Sequence, residues 1–254
     1  MTKLLLIYFI LFLESSLAVD FEPCVYGLEN QCPRGSFCIN FDENKSACYP
    51  KAASIKTIGF PFKSGINVSC DQGALSPAGN SHTWLNTAFA LDLHSDRSKK
   101  VKAEIVAVID GQVVAFADCK DVNDQCGLGF GNQVKIFSND GSLAFYAHLS
   151  EVKVKTGDQV KVGDVIGVEG MSGWTGKDNP HLHFSMHENW KNAGLDYWKT
   201  IGYLPAAIPF RFKACKNNCK ADCKEVLIES QKVNCKRTSS KADLLCLNIT
   251  DSRK

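Results

Sequence analysis

Residues 180–184 read Pro-His-Leu-His-Phe and close a stretch, beginning at Gly129, that is built of short β-branched and aromatic runs. Side chains alternate faces along a β-strand, so residues i and i+2 point the same way. His181 and His183 are therefore predicted to share one strand face, with Leu182 and Phe184 on the other. Two imidazoles at this spacing suit a metal centre whose further ligands come from elsewhere in the chain.

The region around this motif predicts a mostly β, antiparallel domain. From residue 58 to residue 212, short apolar runs are separated by Gly, Asn and Asp, and the best candidate for a short helix is 189–200. Asp110-Gly111 separates the runs 104–109 and 112–116, which is a strong hairpin signal. Further strands are predicted at 132–137, 143–148, 152–154 and 160–168.

Composition divides the chain into four segments. Residues 1–18 predict a signal peptide cleaved after Ala18, and hence a secreted protein, because a short apolar run follows Lys3 and precedes Ser16-Leu17-Ala18. Residues 19–52 contain four cysteines and too few aliphatic residues for a core of their own, which predicts a two-disulfide module. Residues 53–212 form the β domain, and residues 213–254 are predicted to be a basic, cysteine-rich tail.

Two classes of partner are disfavoured by composition. The formal net charge of +2 argues against nucleic acid as the main partner. After the first run, the sequence contains no second run of eighteen apolar residues, so no membrane span is expected. Sequons at Asn44, Asn67 and Asn248 fit an exported glycoprotein.

The 12 cysteines read as disulfides in a secreted chain. The β domain and the tail each contain an odd number of cysteines, so at least one bridge must join them if all are paired. Cys119 and Cys126 flank a short loop that they can close locally. Cys70 would then connect the β domain to the tail.

The sequence has 6 histidines from which ligands can be chosen. Asp92 is a lone carboxylate in an apolar strand, and such a group is costly to bury without a cation or several donors. His82 lies ten residues before it, and His148 ends a predicted strand. The sequence has no His-Glu-x-x-His motif, so a helical zinc site is not predicted.

Four motifs occur in order: GFGNQVKI (129–136), YAHLS (146–150), VKVGDVIG (160–167) and PHLHF (180–184). With His82 and Asp92 upstream, residues 55–190 resemble the lysostaphin-type zinc endopeptidases, which include the LytM and β-lytic enzymes. Many of these cut peptide stems or crosslinks of bacterial peptidoglycan, often at glycine-containing bonds. The resemblance implies an antiparallel β metallopeptidase fold and one Zn²⁺ per chain. It also implies hydrolysis by zinc-activated water, with bacterial peptidoglycan or glycine-containing peptides as partners.

The resemblance also implies a role for each site residue. His82, Asp92 and His183 would bind Zn²⁺. His148 and His181 would face the open coordination position and act as general base or stabilise an oxyanion. These two would be the catalytic residues.

Two loops depart from the family pattern. Nine residues separate His82 from Asp92, where most of the family has three, and this places the chain nearer the β-lytic branch. Lys177-Asp178-Asn179 also intervene before Pro180. Both changes are expected to affect substrate preference more than metal binding.

Several alternatives stay open. The protein could be a non-catalytic zinc-binding signalling module, or a cell-wall-binding module, of the same fold. Residues 19–52 could bind a carbohydrate or serve as a structural cap or pro-segment. His94 shares the face of Asp92 and could compete as a ligand, but a position on the surface or behind the ligands is favoured for it. His187 is expected to be a satisfied surface histidine. Tyr146 is expected to share the face of His148, where a packing role is favoured over a role in the site. Of the four tryptophans, at least two are expected to fill core.

Overall fold

The structure is a computed structural model in which residues 22–25, 31–34, 36–42, 45–50, 55–76, 81–95, 102–188, 190–216, 226–233, 235 and 245–246 are described. The expected signal peptide, the sequons at Asn44 and Asn248 and most of the tail lie outside these residues. None of the helices formed by the described residues has the length and apolar character needed to cross a membrane.

The described residues are mostly β. The strands are β1 (Ser36–Asp42), β2 (Lys45–Pro50), β3 (Lys56–Ile58), β4 (Val68–Gln72), β5 (Leu91–Ser95), β6 (Glu104–Val106), β7 (Gly111–Phe116), β8 (Asn132–Phe137), β9 (Leu143–Leu149), β10 (Glu151–Val152), β11 (Gln159–Val160), β12 (Val165–Val168), β13 (Leu182–His187), β14 (Ala207–Ile208), β15 (Phe210–Lys216), β16 (Val226–Glu229) and β17 (Leu245–Cys246). The helix predicted near 189–200 is a 3₁₀ turn, Trp190–Asn192, followed by α1 (Leu195–Trp198). Two other 3₁₀ turns span Cys126–Gly129 and Ser230–Lys232.

One large sheet carries most of the fold. Its strand order is β11-β7-β8-β9-β13-β5-β4-β17-β15-β16, with β14 paired to β13 and β3 paired to β15. All of these pairs are antiparallel except β3 with β15. A smaller sheet has the order β10-β12-β6, and β1 and β2 form a separate hairpin. The predicted antiparallel β architecture is confirmed.

The main core lies on one face of the β13 strand. Leu182, Phe184 and Met186 are fully buried in it, together with Tyr146 and Phe210. Burying each such side chain contributes about 1.5–3 kcal/mol. The alternate residues of β13, beginning with His183, therefore face the other side of the sheet.

The prediction of a β-hairpin at Asp110-Gly111 is wrong. Strand β6 pairs with β12, whereas β7 pairs with β8 and β11. A type I′ turn needs positive φ at both central residues, and neither Asp110 nor Gly111 is among the described residues with positive φ. Gly111 is instead required by close packing, since a Cβ there would lie 2.4 Å from the carbonyl oxygen of Phe137.

The disulfides agree with the cysteine parity argument. Cys119–Cys126 closes the local loop, and Cys70–Cys235 joins β4 to the tail across 165 residues. Cys24–Cys38 and Cys32–Cys48 crosslink the N-terminal segment. The domain boundary at 212/213 stays a prediction, but β15 runs across it without a break.

A buried lysine holds the helical segment against the sheet. Lys135 is 2% exposed, and its Nζ donates to the carbonyl oxygens of Trp198, Thr200 and Tyr203 at 2.8, 2.7 and 2.8 Å. Burial lowers the pKa of Lys135 to about 8. Trp190 and Trp198 pack in a satellite core under this segment, as expected for two of the four tryptophans.

Candidate metal centre and active-site groove

The centre of the site is a pair of facing residues on neighbouring strands. His183 on β13 lies opposite Asp92 on β5 in the antiparallel register. Directly paired residues on one sheet face approach closely, and His183 Nδ1 lies 3.0 Å from Asp92 Oδ1. Both side chains are thus positioned by the backbone ladder of the sheet.

His82 approaches this pair from an irregular segment, residues 81–90. Its Nε2 lies 3.2 Å from Asp92 Oδ1 and 3.3 Å from His183 Nδ1. Its Nδ1 donates to the carbonyl oxygen of Gly73 at 3.1 Å, which leaves Nε2 unprotonated in the neutral ring. One oxygen and two nitrogen atoms therefore converge within 3.3 Å of one another.

His148 reaches the same place through a bulge in β9. The register between β8 and β9 shifts between Asn132 and Val134, and His148 has a φ of 63°. A bulge redirects a side chain relative to strict alternation. The expectation that Tyr146 shares the face of His148 is therefore wrong: Tyr146 is buried in the main core, where its hydroxyl accepts a hydrogen bond from Val108 N at 2.9 Å.

His148 and His181 form a second pair beside the first. Their ring centroids are 4.7 Å apart, and the rings of His148 and His183 are 5.9 Å apart. His148 Nδ1 donates to Ser172 O at 2.9 Å, and His181 Nδ1 donates to Asn179 O at 2.8 Å. Each neutral ring consequently keeps an unprotonated Nε2 that can accept a proton.

The electrostatics favour a charged carboxylate at Asp92. Burial raises the pKa of Asp92, but interactions with His82, His181 and His183 outweigh it and hold that pKa well below its usual value. Burial, reinforced by the neighbouring His181 and His183, lowers the pKa of His148 well below that of an ordinary histidine. Burial also lowers the pKa of His183.

The side chains of His82, Asp92 and His183 offer a set of atoms that fits a metal ion. His82, Asp92 and His183 each offer one ligand atom, and all three are buried. The atoms that converge are His82 Nε2, His183 Nδ1 and Asp92 Oδ1. Two nitrogens with one carboxylate oxygen are ligands that Zn²⁺ prefers. The residues therefore fit the metal that the sequence motifs predict.

Two other histidines lie near the cluster but have different partners. His94 Nε2 lies 3.1 Å from Asp71 Oδ1, and its Nδ1 lies 3.0 Å from Ser95 O. His94 is thus directed towards Asp71. His187 is fully buried rather than on the surface, so that expectation is wrong. Its Nδ1 donates to Pro205 O at 3.0 Å and its Nε2 accepts from the Ser185 hydroxyl at 2.8 Å.

Because His187 is buried, the free energy of unfolding is expected to fall in acid. Burial lowers the pKa of His187 from 6.5 to about 3. Above pH 6.5 the His187 ring is neutral in both the folded and the unfolded protein. Below pH 6.5 the unfolded chain binds the proton first, so the free energy of unfolding falls as the pH approaches 3. His187→Asn removes this contribution and keeps a donor near Pro205. Its stability deficit relative to the wild type should therefore shrink by roughly 2–3 kcal/mol between pH 7.5 and 4.5.

The measurement is denaturant unfolding of the metal-free wild type and His187→Asn at several pH values. Metal-free protein is used so that acid release of a metal does not add to the difference. A deficit that stays constant with pH would contradict the assignment.

A groove of about 570 Å³ is lined by Asp92, His148, His181 and His183, while His82 is fully buried. Trp84 and Trp174 both line this groove, and Trp174 and Leu128 are each 68% exposed at its edge. The remaining lining residues are mostly polar: Asp71, Gln72, Ser81, Asn86, Thr87, Thr175, Gly176 and Asn179, with Gly129 and Phe130.

Sequence reasoning missed Ser172 as a residue of the site. Its carbonyl oxygen holds His148, while its hydroxyl donates to Leu149 O at 2.7 Å. A Cβ on Gly131, which has a φ of +63°, would lie 2.2 Å from Ser172 O, so only glycine fits there. The Gly-x-Gly of residues 129–131 is typical of a close backbone approach, but the sequence does not show which segment approaches it.

Known proteins are similar to the segment around these motifs. Residues 93–194 match the family model described as Peptidase family M23. Glycyl-glycine endopeptidase ALE-1 of Staphylococcus capitis is 33% identical over 109 residues, which cover 41% of this chain and 28% of that protein. Lysostaphin of Staphylococcus simulans is 40% identical over 81 residues, covering 30% of this chain and 16% of that protein. The chain thus spans less than a third of either relative.

Solved structures include similar domains. The catalytic domain of lysostaphin from Staphylococcus simulans is 25% identical, with a TM-score of 0.33, and the match covers 54% of this chain and 86% of that chain. The M23 metalloprotease pseudoalterin is 14% identical, with a TM-score of 0.41, and the match covers 77% and 98% of the two chains. The family match begins at residue 93, so His82 and Asp92 lie just outside it and are placed by the structure.

Proposed function

We propose that the protein, whose residues 93–194 match the model of Peptidase family M23, is a secreted zinc endopeptidase that hydrolyses peptide bonds in bacterial peptidoglycan. The observation that carries the proposal is the convergence of His82 Nε2, Asp92 Oδ1 and His183 Nδ1 within 3.3 Å beside two further histidines. Secretion is supported by the four disulfides among the described residues, which form in oxidising compartments.

His82, Asp92 and His183 would hold the Zn²⁺, one per chain. When bound, Zn²⁺ supplies a Lewis acid that polarises a peptide carbonyl and makes water a better nucleophile near neutral pH. The charge of Asp92 offsets part of the metal charge and leaves the site net positive, which favours a developing oxyanion. The Gly73 carbonyl orients the His82 ring from behind, as outer partners of metal ligands commonly do.

His148 and His181 would move the protons. Their Nε2 atoms are unprotonated because each Nδ1 donates to a backbone carbonyl. The lowered pKa of His148 keeps its ring neutral at pH 7, so Nε2 can accept a proton from the attacking water. The same nitrogen would then return that proton to the leaving amine, while the unprotonated Nε2 of His181 would accept a hydrogen bond from the attacking water and orient it.

The similar proteins and the shape of the groove together indicate the class of substrate. A relative whose name specifies glycyl-glycine bonds aligns with the domain. The groove is open at Trp174 and Leu128, and it passes over the histidine pair, so an extended peptide backbone can lie across the site. We therefore assign glycine-containing peptides of peptidoglycan as the substrate.

Metal removal tests this function. Dialysis of the full-length protein against a chelator should reduce hydrolysis of a glycine-containing crossbridge peptide by more than about 100-fold, because the Lewis acid is lost. Adding back about one equivalent of Zn²⁺ per chain should restore the activity. Mg²⁺ is the control, since it prefers oxygen ligands and an octahedral site. Full activity in protein shown by elemental analysis to be metal-free would refute the proposal.

A further inference from the structure

The proposed ligands are held in two different ways. Asp92 and His183 are neighbours in the ladder of the main sheet. His82 is not in a strand; it lies in the turn segment 81–90, where residues 77–80 immediately before it are outside the described structure. The position of His82 therefore depends on what contacts this segment from outside the sheet.

The N-terminal hairpin supplies those contacts through Asn40 of β1. Asn40 N donates to Thr83 O at 2.8 Å, and Leu85 N donates to Asn40 O at 2.9 Å. Its side-chain Nδ2 donates to Thr83 Oγ1 at 3.0 Å, while its Oδ1 accepts from Ser46 Oγ at 2.7 Å. Three hydrogen bonds thus fix the residues immediately after His82, and a fourth fixes the orientation of the Asn40 amide.

Apolar contacts also join the N-terminal hairpin to the segment 81–90. Ile39 is fully buried in a cluster with Ala88, Phe89 and Ala207. The rings of Phe37 and Phe89 pack edge to face, with centroids 5.2 Å apart. This cluster lies under the segment that carries His82, so the hairpin is packed as part of the domain.

From these contacts we propose that the crosslinked N-terminal hairpin is a structural part of the metal centre and that Asn40 is a positioning residue for His82. Trp84, which lines the groove, also pairs with Asn40 through an isolated bridge, so the hairpin shapes one groove wall as well. The hairpin is therefore required for metal binding, in contrast to a pro-segment whose removal activates an enzyme. The proposal rests on the metal centre proposed above, and it does not depend on the substrate.

The test compares zinc affinity and zinc-induced stabilisation in variants of the full-length protein. Asn40→Ala removes the side-chain bond to Thr83 and leaves the backbone bonds. Thr83→Val removes the same bond from the other side, and Thr83→Ser keeps the hydroxyl. Lys45→Ala, an exposed change in the same hairpin, is the control. Competition with a chromophoric chelator gives the Kd, and thermal unfolding with and without Zn²⁺ gives the rise in Tm.

Asn40→Ala and Thr83→Val should weaken zinc binding by about 3- to 10-fold, because each removes one of the three hydrogen bonds that hold the residues after His82. Their zinc-induced rise in Tm should shrink accordingly. Thr83→Ser and Lys45→Ala should stay within about twofold of the wild type. A merely structural role would lower the Tm of both forms equally and leave the Kd unchanged, and that result would overturn the proposal. A wild type that binds no zinc would instead overturn the metal centre itself.

Discussion

Replacing His183 by alanine is expected to abolish stable zinc binding. The variant loses the ligand whose Nδ1 lies 3.0 Å from Asp92 Oδ1, and two ligands remain where a catalytic zinc needs three. The loss of affinity should exceed the 10- to 100-fold that changes behind a ligand cause. Asp92→Asn should have a similar effect, because it removes the only negative charge among the three proposed ligands.

Equilibrium zinc binding by the purified variants, measured with a competing chelator, checks this expectation. His94→Asn is the matched control, because His94 lies two residues from Asp92 but is directed towards Asp71. It should bind zinc as the wild type does. Wild-type affinity in His183→Ala would exclude this residue as a ligand.

Replacing His148 by alanine is expected to leave zinc bound and to lower kcat by about 10²–10⁴-fold, the usual contribution of a positioned general base. His148 is not among the three converging ligand atoms, and its Nε2 is the atom proposed to accept the proton. KM should change little, because the residue is assigned to the reacting proton rather than to substrate binding.

The His148→Ala measurement pairs steady-state kinetics with zinc content. His181→Ala should behave in the same way, since its Nδ1 is also tied to a backbone carbonyl and its ring lies 4.7 Å from that of His148. Loss of zinc from His148→Ala would make it a ligand instead. A kcat near that of the wild type would remove it from the proton transfer.

Local sequence patterns predicted much of the fold, and the family resemblance predicted which residues cluster at the site. The strict alternation in Leu182-His183-Phe184 predicted which side chains face the core, because strand periodicity is a local property. The lone carboxylate of Asp92 in an apolar strand indicated a buried partner, and the structure places His183 opposite it. Cysteine parity predicted Cys119–Cys126 and the bridge from Cys70 to the tail.

Features that depend on packing between distant segments were not predictable. The bulge that turns His148 towards the groove arises from the pairing of β8 with β9, and alternation alone placed it with Tyr146. Asp110-Gly111 has the composition of a hairpin turn, but the pairing of β6 with β12 and of β7 with β8 determines its conformation. The contact of Asn40 with the segment after His82 spans 43 residues and leaves no local signal.

Hydrolysis of peptidoglycan peptide bonds in this groove can be tested on the natural polymer. The most direct test incubates zinc-loaded wild type and His148→Ala with purified peptidoglycans of several crosslink types and identifies new peptide amino termini by mass spectrometry. We expect new termini at glycine-containing bonds with the wild type and essentially none with the variant. A wild type that binds about one zinc per chain but produces no new termini from any of these substrates would exclude the proposed peptidase activity and favour a non-catalytic binding module.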